Sequence, residues 1–173
     1  GRIAMFKDDN PRCSADARYK AIIRSRGPRG LLAFKSPDGL RWSPMSDGPV
    51  ITKGAFDSQN LAFWDTARGE YRAYFRYFTE GGFKGRRDIL TATSKDFLRW
   101  TKPVPLMYPG APAEHLYTNQ TEPYYRAPHI YIGTPARFMK GRWALTPELE
   151  RRIGLHHPDN YAQLGGAISD GVL

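Results

Sequence analysis

Residues able to do chemistry recur at matching points of this chain. Asp8-Asp9 stand before Asn10-Pro11. Asp57 and Asn60 fall in F-D-S-Q-N at 56–60, Arg126 and His129 in R-A-P-H-I-Y-I-G at 126–133, and Asp170 in S-D-G at 169–171. Glu122 lies a few residues ahead of the third group. Carboxylates and an imidazole can act as general acids, bases or nucleophiles, and an arginine can orient a carboxylate or a ligand hydroxyl. Each also has a plainer role. Asp57 can cap a turn by accepting backbone N–H groups, and Asp8 and Asp9 sit at a turn signal. Glu122 before Pro123 suits a solvated loop, and Arg126 can pair with Asp57 as a structural ion pair. His129 can be a satisfied strand histidine. His156-His157 with Asp159 is too thin a set for a metal site, so no metal or other cofactor is expected.

These groups stand where strands begin, and the strands belong to a repeat. Y-K-A-I-I-R at 19–24 and the run to S-P-D-G-L-R-W at 36–42 share a frame with Y-R-A-Y-F-R at 71–76 and S-K-D-F-L-R-W at 94–100. Ser36 pairs with Ser94 and Trp42 with Trp100. A period of about 50 residues belongs to propeller-like architectures. The S-x-D stretches carry turn chemistry, and a tryptophan a few residues on can pack back as blade core. Asp38 and Asp96 are therefore structural. The frame aligns Asn60 with His129. In a propeller the first strand of each blade lines the central channel, which would gather the polar strand starts at one mouth. Approximate units run 1–53, 54–110 and 111–166, with a further start at 167–173. Helix is scarce, the best stretch being 146–153 with Thr146 as N-cap and Pro147 at the first helical position.

Composition agrees with an all-β domain. The chain has 173 residues with 17 Gly and 14 Pro, which is loop-rich, and 13% aromatics, too many for a disordered tail. No apolar run approaches the roughly 18 residues of a membrane span, and no membrane partner is expected. The N-terminal residues show no signal-peptide pattern, and the compartment stays open. One cysteine, Cys13, excludes an internal disulfide and suits a packed thiol. The net charge of +9 raises nucleic acid as a partner, but the basic residues are spread along the chain and mixed with acids, and no nucleic-acid motif is present. A basic surface docking on acidic polysaccharide or nucleic acid is a third, weaker reading, marked by salt dependence.

The stretches K-D-D-N-P at 7–11, S-P-D-G-L-R-W, G-A-F-D-S-Q-N at 54–60, R-D-I-L-T-A-T-S-K-D-F-L-R-W-T at 87–101, L-Y-T-N at 116–119, R-A-P-H-I-Y-I-G and S-D-G cover most of the chain. They resemble five-bladed β-propeller proteins related to glycoside hydrolase families 32 and 43. The S-x-D turns are also similar to the Asp-box of sialidase-like propellers, one residue short. The resemblance implies an all-β, partial five-bladed propeller and a carbohydrate ligand at its central channel. About 50 residues per blade make five blades roughly 250 residues, so an incomplete domain prone to self-association is expected. Those hydrolases use Asp, Asp and Glu on successive inner strands, where an acid protonates the leaving oxygen and a second carboxylate attacks or activates water. Asp9 and Asp57 fit the first two places as candidate catalytic residues. The third offers Arg126 and His129 instead, with Glu122 just before it and Asp170 after it. With Asn60, these are candidate substrate contacts. A non-catalytic carbohydrate-binding or structural propeller is the alternative.

Overall fold

A computed structural model describes residues 3–141, 145–154 and 167–172. The strands are β1 (Ile3–Lys7), β2 (Tyr19–Arg24), β3 (Leu31–Ser36), β4 (Ser43–Pro44), β5 (Asn60–Asp65), β6 (Glu70–Phe78), β7 (Arg87–Ser94), β8 (Val104–Pro105), β9 (His115–Leu116), β10 (Thr121–Tyr124), β11 (Ala127–Gly133), β12 (Ala136–Lys140) and β13 (Ala167–Gly171). They form antiparallel sheets in the orders β1-β2-β3-β4, β5-β6-β7-β8, β10-β11 and β13-β12-β9. The single described α-helix, α1 (Pro147–Arg152), starts as expected: Thr146 Oγ1 accepts the Leu149 N–H at 3.3 Å. No described helix is long and apolar enough to cross a membrane. The architecture is a partial, all-β propeller.

The second sheet is the middle of the stack because both faces of β6 are covered. Tyr71, Ala73 and Phe75 join Ile22, Leu31 and Ala33 of the first sheet in the main core. Tyr74 and Arg76 face the other way and meet Tyr131 and Tyr117. β1 and β10 lie on either side of β5, so the three are the innermost strands. β10 pairs with β11 through a tight turn, with Tyr124 opposite Ala127.

The two S-x-D turns make the same bonds. Ser36 Oγ accepts the Gly39 N–H at 2.9 Å, and Ser94 Oγ accepts the Phe97 N–H at 2.9 Å. Asp38 accepts from the amides of Leu40 and Arg41, and Asp96 from those of Leu98 and Arg99. Each tryptophan donates its indole N–H back into the turn at 3.0 Å, Trp42 to the Gly39 carbonyl and Trp100 to that of Phe97. The residue after the aspartate must be left-handed, with φ of 78° at Gly39 and 67° at Phe97. Glycine adopts this freely. Phe97 does so at a cost that its fully buried ring, edge-on to Phe6 and Tyr71, offsets. Both tryptophans are only partly buried: Trp100 packs against the core, edge-on to Phe97, as expected of a blade-core residue, whereas Trp42 only braces its turn. Ser36→Ala and Ser94→Ala should each cost about 1–3 kcal/mol, since each leaves turn amides unsatisfied in a buried place. Denaturant unfolding checks this, and wild-type stability in either variant contradicts it.

Candidate functional site

Asp57 is positioned by a close-packed approach to β5. A Cβ at Gly54 would lie 2.6 Å from the Phe56 ring and 2.9 Å from that of Phe75, so only glycine lets both rings in. Ala55 N–H bonds the Arg76 carbonyl at 2.8 Å, and Phe56 turns left-handed at φ 61°. The chain is thereby pinned to β6, and the Asp57 carboxylate meets the Arg76 guanidinium two-pronged, Nε to Oδ1 at 3.2 Å and Nη2 to Oδ2 at 2.5 Å. The Arg76 side chain is 4% exposed and that of Asp57 19%. Arg76 also lies over the Tyr117 ring at 4.6 Å. The sequence reading had offered Arg126 as the partner of Asp57; the partner is Arg76. Both Asp57 oxygens accept from Arg76, so the carboxylate is held in one orientation as a hydrogen-bond acceptor.

Asn60 opens β5. It is 3% exposed, and its Nδ2 donates to the carbonyls of Phe56 at 3.2 Å and Ser58 at 3.1 Å, which fixes the orientation of the amide. Its Oδ1 is buried and without a partner. Ser58 Oγ donates to the Tyr117 carbonyl at 2.7 Å, and Gln59 Oε1 accepts from the amides of Asn119 at 3.2 Å and Gln120 at 3.0 Å. These bonds seam β5 to the segment entering β10. Beside them is a hollow of about 300 Å³ lined by Ile3, Gln59, Asn60, Thr118 and Gln120. Thr118 precedes β10 by as many residues as Asp57 precedes β5.

The inner strands run the same way. Ile3 and Ala4 share the hollow with Asn60 and Leu61, whereas Asp9 borders a second cleft of about 570 Å³ together with Trp64 and Thr66. Asp9 thus stands at the end of β1, with the length of β5 between it and Asp57, about 20 Å for six residues at 3.3 Å each. The structure does not bring Asp9 and Asp57 together. It places Asp9, which is exposed, on the same cleft as Glu122, over an apolar floor that includes Met5, Phe63 and Trp64.

The remaining candidates lie elsewhere. The frame had made 125–133 an inner strand, but the tight turn of the β10-β11 hairpin falls at Tyr125-Arg126, so 127–133 is the second strand. Thr121, not His129, takes the place corresponding to Asn60. Arg126 is exposed at the turn, 5.2 Å over the Tyr125 ring, and His129 is exposed on β11. Asp170 sits on β13, and both its oxygens bond Arg137, at 2.9 and 2.7 Å. β13 is hydrogen-bonded to β12 in register. His156, His157 and Asp159 lie outside the described residues. Among the described residues, no three His, Cys, Asp or Glu side chains gather as a metal site would.

Asp8 and Asp65 end β1 and β5 in equivalent ways. Tyr71 from the second sheet donates its hydroxyl to Asp8 at 2.6 Å, and Lys20 pairs with the same carboxylate. Tyr131 of β11 donates to Asp65, which also accepts from Arg68 and, at 3.2 Å, from Arg72. Burial, and then the bond to Asp8, push the Tyr71 phenol up to about 12. Because the set recurs at two successive seams, it is a latch between sheets rather than a reactive cluster. The sequence reading missed these latches because the tyrosine and its aspartate are more than 60 residues apart. It missed Arg76 because its frame equivalent, Arg24, is exposed, and the repeat gives both the same signature.

No family model and no curated protein matches the chain. Solved structures do. A candidate exo-β-1,3-galactanase from Bifidobacterium bifidum aligns with a TM-score of 0.53 and 11% identity, over 78% of this chain and 44% of that one. A thermostable family-43 glycoside hydrolase aligns with a TM-score of 0.52 and 16% identity, over 85% of this chain and 44% of its own. The chain is thus related in fold to family-43-like glycoside hydrolase propellers, and it spans less than half the length of these neighbours.

Proposed function

We propose that this chain forms part of a carbohydrate-active propeller and receives a glycan at the mouth bounded by Asn60, Thr118 and Gln120, with Asp57 three residues ahead of Asn60. The observation that carries the reading is the orphaned Asn60 Oδ1, beside a hollow whose polar lining is Gln59, Thr118 and Gln120. A buried acceptor without a donor is costly, and a ligand hydroxyl supplies the donor. Sugars also need acceptors of fixed direction, which Asp57 in the grip of Arg76 provides. Innermost strands surrounding an axis are where propellers hold their ligands.

Binding without hydrolysis is the better-supported form of this reading. Acid and base in glycoside hydrolysis stand roughly 5–10 Å apart, whereas Asp9 and Asp57 flank the whole of β5. The position matching Asp57 on the next inner strand is Thr118, which cannot donate a proton as a carboxylic acid does. The test is a panel of oligosaccharides titrated into the full-length protein, with turnover followed in parallel. Asn60→Ala should weaken binding about tenfold, the worth of one buried hydrogen bond, with the fold retained. Asp9→Asn should leave binding unchanged. The reverse pattern moves the ligand to the Asp9–Glu122 cleft.

A further inference from the structure

Arg87 is the first residue of β7 and faces the seam between the second sheet and β9 and β12. Its guanidinium lies 4.1 Å from the Phe138 ring centre, 5.4 Å from that of Phe78 and 5.8 Å from that of Tyr117. Three aromatic rings hold it in place. It makes no ion pair with any described carboxylate, its Nε is buried without a hydrogen-bond partner, and the one acid whose charge reaches it is Asp57. Asp57, the nearby acid, is already taken two-pronged by Arg76. The remaining neighbour is His115, whose Nδ1 accepts the Arg87 backbone N–H at 3.2 Å and lies 3.4 Å from Nη1. Accepting at Nδ1 requires the unprotonated nitrogen. Burial, then the charges of Arg87, Arg86 and Lys140, hold the imidazole below its usual value and favour that form. Asp57 is matched by Arg76 and His115 accepts at Nδ1, so neither gives Arg87 a counter-ion of its own.

A partly buried cation is costly unless an anion meets it. The glycan mouth is adjacent: Tyr117 stacks with both Arg76 and Arg87, its carbonyl takes the Ser58 hydroxyl, and the next residue, Thr118, lines the hollow. We infer that Arg87 forms an anion subsite beside the mouth and that the glycan taken there is acidic, carrying a carboxylate or sulfate group within reach of the guanidinium. This rests on the reading of the mouth as a glycan site and adds the class of sugar. A planar guanidinium fixed by aromatic rings presents its remaining N–H groups to an oxyanion with little loss of freedom.

The test is calorimetric titration of the full-length protein with three oligosaccharides of one length: uronic-acid-containing, sulfated and neutral. At least one acidic sugar should bind about tenfold to a hundredfold tighter than the neutral one, as a charge-assisted hydrogen bond gives, and the margin should shrink with added salt. Arg87→Gln should erase the margin while leaving neutral-sugar affinity unchanged, and Arg87→Lys should keep part of it. The unchanged neutral affinity shows that the mouth has not collapsed. The two acidic arms tell carboxylate from sulfate. Equal binding of acidic and neutral sugars overturns the inference alone, as does a margin that survives Arg87→Gln. No binding of any sugar overturns both the inference and the reading beneath it.

Discussion

Asp65→Ala should destabilise the protein by about 3–5 kcal/mol, the usual cost of breaking a buried ion pair by removing one partner. The carboxylate is fully buried and takes bonds from Tyr131, from the backbone and side chain of Arg68, and from Arg72. Its loss leaves the Tyr131 hydroxyl without its acceptor and the Arg72 guanidinium, 20% exposed, with Glu70 alone as counter-ion. Burial opposes the charge on Asp65, but the bonds from Tyr131 and Arg68 outweigh it and hold its pKa below the ordinary value. A depressed carboxylate stabilises the fold above its unfolded pKa, and that contribution is lost as pH falls through the lower, folded value. Wild type should therefore lose this stability only in acid, and the variant should show it missing at neutral pH. For a domain of this size the melting temperature should drop by roughly 10 °C. A drop of only a degree or two would mean that the latch between β5 and β11 is idle.

Asp57→Asn should affect both stability and ligand. The amide keeps the size but not the charge, so Arg76, buried among Tyr117 and Phe78, loses its counter-ion. A loss of about 1–3 kcal/mol in stability follows. Glycan affinity should fall at least about tenfold, because the amide turns N–H groups toward hydroxyls that had met an acceptor. Asn60→Ala provides the control: it weakens binding without removing a charge. Thermal melting and calorimetric titration of both variants check the pair. A well-bound glycan in Asp57→Asn removes this carboxylate from the site.

Much of the first two sheets was legible because their information is local. Ser36 and Ser94 differ in sequence neighbours, yet each sits two residues before an aspartate and six before a tryptophan, and that spacing alone dictates the turn bonds. The third inner strand was misread for a physical reason. R-A-P-H-I-Y-I-G has the apolar density of a strand start, but the preceding T-E-P-Y is itself a short strand, and a tight turn at Tyr125-Arg126 reverses the chain between them. Two short strands around a tight turn look like one longer run. Asp57 and Asn60 stood out because they lie at a strand start; Arg76 and Arg87 did not, because Arg76 is set apart by its burial and Arg87 by an Nε without a partner. Both lie over Tyr117, and Arg87 also over Phe138, far along the chain. Thr118 lies within L-Y-T-N, and its equivalence to Asp57 emerges only once β10 is known to begin at Thr121.

The central claim is the location of the ligand, and the most direct measurement is a crystal structure of the full-length protein with a bound oligosaccharide. A sugar ring should lie in the hollow between Asn60, Thr118 and Gln120, with a ring hydroxyl donating to Asn60 Oδ1 at about 2.6–3.0 Å, the ordinary range for such a bond. A glycan lying instead along Asp9 and Glu122, with Asn60 Oδ1 still unpartnered, would contradict it.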